Sequence, residues 1–207
     1  MLRIDHVVYV VRDLDGAAER WRRDLGLDSV AGGRHAGWGT ANRIVPLGDQ
    51  YLELIAVVDP EEAATTDLGR SMLERSAAGE GWSAIAASTD DVERVAARLG
   101  LEVTAGSRRR PDGTVLAWRA AGFAVPRRDP WMPFFLQWDV PPDLHPGRAR
   151  AGHGTRVEGI TRVEVGGDGA RLRDWLGDDE LPIRVVEGPP GVRAVVLATA
   201  DGALEID

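Results

Sequence analysis

The 207-residue sequence predicts an α+β fold assembled from repeated βαβββ modules. Three observations lead to this. A Leu-Gly pair closes a helical stretch three times, at 25/26, 99/100 and 176/177, with spacings of 74 and 77 residues. Each of those stretches follows an apolar run and an Asp suited to helix capping. The triplet Leu52-Glu53-Leu54 returns as Leu204-Glu205-Ile206.

The elements follow in order. "RIDHVVYVV" is rich in β-branched residues and reads as a strand. Asp13 or Asp15 caps the next helix, whose Leu14, Ala17, Ala18, Trp21 and Leu25 recur at helical spacing before Gly26. Strands near 28–34, 42–47 and 50–58 complete the first module, the last two joined by a Gly48-Asp49 turn. A connecting helix is expected over 66–78. "WSAIAAS", a helix from Asp90 or Asp91 to Gly100, "LEVTAGS", "TVLAWRAAG" and "PFFLQWD" repeat the unit. "ITRVEVG", a helix through Trp175, "IRVVEG", "RAVVLAT" and "ALEID" repeat it again. The modules span about 1–60, 80–140 and 157–207 of one domain, 1–207. The fourth strand of a module is expected beside its first. Two such modules side by side make a curved-sheet cup with helices outside, and the third is an additional module.

Composition narrows the function. The hydrophobic fraction is 43%, and no apolar run approaches the ~20 residues of a spanning helix, so a cytoplasmic protein without membrane contact is expected. The net charge is −8, and Arg108–Arg110 is the one basic cluster, read as a solvated hairpin tip with an anion contact as the alternative, which argues against nucleic acid. There is no Cys and no Lys, which excludes thiolate nucleophiles, Cys-ligated zinc, Schiff bases and a Walker P-loop. Gly37-Trp38-Gly39-Thr40-Ala41-Asn42 is no dinucleotide fingerprint, because Asn42 replaces the third glycine and a strand follows. The expected partner is a small molecule, with a homodimer as the candidate assembly.

"DHVVYVVRDLDGAAERWRRDLGL" followed by "GGRHAGWGTANRIVPLGDQYLELIAV" resembles the vicinal oxygen chelate superfamily, and within it the glyoxalase-like domain proteins. In the metal-dependent members each of two modules supplies one ligand from its first strand and one from its last. His6 and Glu53 match the first module's pair. The second module has Trp82 or Ser83 and Gln137 at those places, so any metal is expected to be a weakly bound Mg, Mn or Fe ion, and not zinc. In the third module Glu205 stands at the Glu53 place, but Arg162 replaces the histidine, which predicts a salt bridge.

The residues themselves leave alternatives open. His6 reads as a strand histidine bonded to Glu53, as an acid–base group in a pocket, or as a metal ligand. Trp38 and Trp138 are core or pocket wall, and Asn42 either closes its own loop or meets a ligand beside His35 at the cup's rim. His145 is an exposed turn residue or reaches the same mouth with Gln137 and Trp138. The leading function is a small-molecule enzyme of lyase or isomerase type, moving a proton on a carbonyl or enol metabolite with His6 and Glu53 as catalytic residues. The alternative is a protein that sequesters a small molecule without turnover.

Overall fold

The computed structural model describes residues 1–207. The first module runs β1 (Arg3–Val10), α1 (Leu14–Leu25), β2 (Val30–His35), β3 (Thr40–Pro46) and β4 (Tyr51–Val57). Asp13 caps α1 by accepting from the N–H groups of Asp15 and Gly16, and Gly26, at φ 68°, closes it in the left-handed conformation. The helix buries Ala17 and Trp21. The connecting segment has two helices where the periodicity predicts one: a short α2 (Pro60–Ala63), capped by Asp59, precedes α3 (Asp67–Ala77), capped by Thr66.

The second module is β5 (Gly81–Ser88), α4 (Val92–Leu99), β6 (Val103–Arg109), β7 (Val115–Ala121) and β8 (Phe134–Trp138). Asp91 caps α4 and Gly100, at φ 66°, ends it. The third is β9 (Val157–Gly166), α5 (Gly169–Leu176), β10 (Ile183–Val186), β11 (Gly191–Thr199) and β12 (Gly202–Ile206). No helix is long and apolar enough to cross a membrane.

The expected neighbours pair: β4 lies parallel to β1, and β8 parallel to β5. The curved sheet of the two modules closes into a barrel of order β1-β4-β3-β2-β6-β7-β8-β5. β1 zips antiparallel to β5 along nearly its whole length, while the opposite seam, β2 to β6, is a single register pair, Arg34 with Arg109.

The third module departs from the pattern. Its sheet has the order β10-β9-β11-β12, so its last strand lies beside its third and not beside its first. Arg162 and Glu205 both face Val196 in register, and they meet across β11 at 3.6 Å, forming the expected salt bridge through a different topology.

One apolar core joins the barrel's outer surface to the third module: Ile4, Val7, Ile85, Ala87 and Phe135 share it with Val163, Val165, Leu172, Leu176, Val195 and Leu197. A separate cluster lies inside the barrel. Polar latches hold the two bodies in register. Gln50 donates from Nε2 to the Ile4 carbonyl (3.3 Å) and accepts the Ile160 N–H on Oε1 (2.7 Å), and the Trp82 indole donates to the Ile206 carbonyl (3.0 Å).

Gln50→Ala removes both bonds of that latch and strands the buried Ile160 N–H. The expected cost is about 1–3 kcal/mol, a fall of several degrees in melting temperature by circular dichroism. An unchanged melting curve would show that the latch contributes nothing.

Candidate functional site

The site starts from an irregularity in β1. Ile4 pairs with Ala87 and His6 with Ala86, so Asp5 lies in a bulge. Regular alternation sends neighbouring side chains to opposite faces; a bulge re-aims one of them. Asp5 and His6 are thereby brought within a hydrogen bond, Oδ1 to Nδ1 at 2.7 Å, with both residues buried.

Asp5 accepts two further bonds on Oδ2, from the Trp138 indole N–H at 3.0 Å and from His145 Nε2 at 3.2 Å. His145 Nδ1 accepts the Gly147 N–H, so the network assigns its proton to Nε2, facing Asp5. Burial works against the Asp5 charge, but the hydrogen bonds from His145 and His6 outweigh it and hold the carboxyl at about 2. An ionised Asp5 fixes the His6 proton on Nδ1. His6 Nε2 then points inward, 3.5 Å from Glu53 Oε2.

The register of β1, β4 and β3 gathers the remaining groups. His6 lies opposite Tyr51, Val8 opposite Glu53, and Asn42 opposite Ile55. Asn42 donates from Nδ2 to Glu53 Oε1 and accepts from Arg108 Nη1 on Oδ1 (3.3 Å), which settles the orientation of its amide. His35 bonds Thr40 Oγ1 through Nδ1 (3.0 Å), and its Nε2 lies 3.5 Å from Asn42 Nδ2 and 3.9 Å from Glu53 Oε1. Burial, reinforced by Arg108 and His6 and opposed by Glu53, depresses His35 to about 4, so it is neutral at pH 7. Tyr51 stacks on His6 with ring centroids 4.4 Å apart, and burial, with Asp5 and Glu53, pushes its phenol well above the usual value. It remains a hydrogen-bond donor.

These groups form the polar wall of a cavity of about 590 Å³. Val8, Ile55, Ala84, Trp118, Phe134 and Leu136 form an apolar wall, and Pro190 with the first residues of β11, Gly191–Arg193, reaches the lining from the third module. The glycines of "GGRHAGWG" have a concrete use. A Cβ on Gly32 would stand 2.0 Å from Asn42 Oδ1 and 2.8 Å from Arg108 Nη1, and one on Gly33 would stand 2.4 Å from the Arg109 carbonyl. Bare backbone there admits the Asn42–Arg108 contact and lets β2 approach β6.

Of the residues singled out from sequence, His6, His35, Trp38, Asn42, Glu53 and Trp138 all line this cavity. His35 and Asn42 lie deeper than the rim, 5% and 4% exposed, and Asn42 bonds the site and not its own loop. Trp38 tilts against His35 at 5.1 Å. Two expectations are corrected. Gln137 points out of the barrel, where Oε1 accepts the Val92 N–H at the start of α4, because strand alternation gives the interior to Leu136 and Trp138. His145 supports Asp5 from behind and is not part of the lining.

Asp5 carries no signal in the sequence, and Arg108 stands out there only as part of a basic cluster. Asp5 escapes any reading by alternation because of the bulge. Arg108 was placed on a solvated hairpin tip, but the turn is closed by Arg110 and Thr114, and Arg108 belongs to β6, 4% exposed and facing inward.

The donor set does not suit a chelated metal. His6 and Glu53 are placed to coordinate, but the second module meets them with Ala84, Phe134 and Leu136, Trp82 is committed to Ile206, and Gln137 lies outside. The Arg108 guanidinium already brings positive charge to this wall. The expected weak Mg, Mn or Fe site therefore lacks its second half.

The family model described as "Glyoxalase-like domain" matches residues 4–179. No curated protein matches the chain. Among solved structures, a hypothetical protein from Staphylococcus aureus is similar over 100% of this chain and 86% of its own, with a TM-score of 0.68 at 19% identity. Methylmalonyl-CoA epimerase from Mycobacterium tuberculosis is similar over 68% of this chain and 89% of its own, with a TM-score of 0.47 at 20% identity. Likeness at these identities speaks for the fold alone.

His35 makes stability depend on pH. Its folded value lies below its unfolded value of about 6.5, so between the two the unfolded chain binds a proton that the folded chain refuses. Stability is full above pH ~6.5 and falls towards pH ~4, by at most about 3 kcal/mol. Denaturant titrations across that window should show the slope in the wild type and its loss in His35→Gln. Equal slopes in the two proteins would contradict the assignment.

Proposed function

The chain belongs to the glyoxalase-like domain family, and from that premise we propose that it is an isomerase- or lyase-type enzyme that moves a proton at a carbon next to a carbonyl in a small metabolite. The observation that carries this is the line Asp5–His6–Glu53: an ionised carboxylate holds His6 Nδ1–H, and the free Nε2 faces Glu53 Oε2 across 3.5 Å at the cavity wall. His6 Nε2 takes the proton from carbon, and Asp5 stabilises the imidazolium that forms. Glu53, held by Asn42, is the second group able to take up or return a proton. Two such groups at one carbon are what isomerisation or elimination needs. No step in this scheme passes through a metal.

Trp38, Trp118, Phe123, Phe134 and Trp138 along the cavity favour a second reading, a binding protein that encloses a flat ligand without turnover. Turnover separates the two. In deuterium oxide, the wild type mixed with a panel of small 2-oxo and 3-oxo metabolites should exchange the hydrogen next to the carbonyl in at least one of them, followed by proton NMR. His6→Asn should slow that exchange by at least about 100-fold. Gln137→Ala, which touches only the start of α4, should leave the rate unchanged. A panel that binds but never exchanges would leave sequestration as the function.

A further inference from the structure

Arg108 is the most unusual charge in the molecule. On the surface, Arg34 is paired with Asp59 and Glu62, and Arg171 with Asp129. Arg108 is 4% exposed, yet its hydrogen bond is to a neutral acceptor, Asn42 Oδ1, at 3.3 Å. Burying a cation that no carboxylate hydrogen-bonds is costly, and burial pushes this guanidinium below its usual value against the opposing pull of Tyr51 and Glu53. Tyr51 is similar: 3% exposed, with a phenol that forms no hydrogen bond to the protein. No fully enclosed side-chain polar atom in the structure lacks a partner. The unbonded nitrogens of Arg108 and the hydroxyl of Tyr51 are therefore not fully enclosed, and both residues line the cavity.

We infer that Arg108 and Tyr51 form a docking site for the carboxylate of the ligand, so that the molecule handled here is a small oxo-carboxylate. A planar fork of N–H donors matches a carboxylate in two places at once, and a neutral phenol adds a third donor. A singly charged group suits the site better than a phosphate dianion, because Glu53 stands close by and repels the second charge. The connection to the chemistry is short. Asn42 accepts from Arg108 with one end of its amide and donates to Glu53 with the other, so a carboxylate on Arg108 stands about one amide away from the proposed proton acceptor. The carbon that faces His6 and Glu53 is then one or two bonds from the carboxylate. Only this last point rests on the proton-transfer reading; the anion site does not.

The test uses the full chain and the fluorescence of Trp38, Trp118 and Trp138, which line the cavity. The probes are straight-chain 2-oxo and 3-oxo acids of three to six carbons and their neutral methyl esters. In the wild type the best acid should bind at least about 10-fold tighter than its ester. Arg108→Met, close in length but uncharged, should bring the ratio to about 1 in a protein that still melts cooperatively. Arg108→Lys, a second variant in case the first folds poorly, should keep only part of the preference. His6→Asn should retain the preference in full, so loss of exchange and loss of anion recognition are told apart. A wild type that binds acids and esters alike, or binds neither, overturns the inference, as does an Arg108→Met or Arg108→Lys protein with the wild-type preference.

Discussion

Both oxygens of the Asp5 carboxylate are occupied, by ring N–H groups from three parts of the chain: His6 beside it, Trp138 at the end of β8 and His145 in the following loop. The interior depends on that convergence. A buried carboxylate is tolerated only when its lone pairs are satisfied, and here the donors that satisfy it are the groups that need orienting. Trp138 is held against the cavity wall, and His6 is fixed in the tautomer that leaves Nε2 free. The loop after β8 is tied to the barrel by His145, and its continuation by His153, which accepts from the Asp28 N–H and lies 2.9 Å from the Pro46 carbonyl. Removing the charge of Asp5 would unmake all three ties at once.

The barrel interior is divided between its modules. The first supplies the polar groups His6, His35, Asn42, Tyr51 and Glu53 beside Val8 and Ile55; the second supplies mainly Ala84, Ala86, Trp118, Ala120, Phe134 and Leu136, with Arg108 as the charge it buries there. Of the two βαβββ units, the first carries most of the polar groups and the second most of the hydrocarbon. This is the arrangement of small-molecule sites in general, an apolar wall with a few convergent polar groups. It also fits the weak second half expected of a metal site, where only Trp82 and Ser83 of the named places border the cavity and Gln137 lies outside.

Much of this could be read from the chain. Capping aspartates, left-handed glycines and apolar periodicity are local, so Asp13, Asp91, Asp168, Gly26 and Gly100 mark their helices without help from tertiary structure. The pairing of β1 with β4, which brings His6 to Glu53, follows from the crossover rule. What escaped was non-local or one residue out of phase. Asp5 is hidden by the bulge, Arg108 sits next to a real turn and reads as part of it, and Gln137 differs from a lining residue only by strand parity. The third sheet breaks the repeat because it does not close with a partner module but packs on the outside of the barrel, where β9 can take β10 and β11 as its neighbours.

The seam between β2 and β6 has one further consequence. Its single register pair sets Arg34 against Arg109, two like charges, and Arg34 is drawn aside by Asp59 and Glu62. Charged residues at such a place keep foreign strands from adding to what are nearly two free edges. They also make this the cheapest line along which the barrel can part, since every other seam carries a longer ladder. Parting there would uncover Arg108 and His35 while leaving β1 zipped to β5 and Asp5 undisturbed, so the amides of β2 and β6 that face this seam are expected to exchange faster than those of β1.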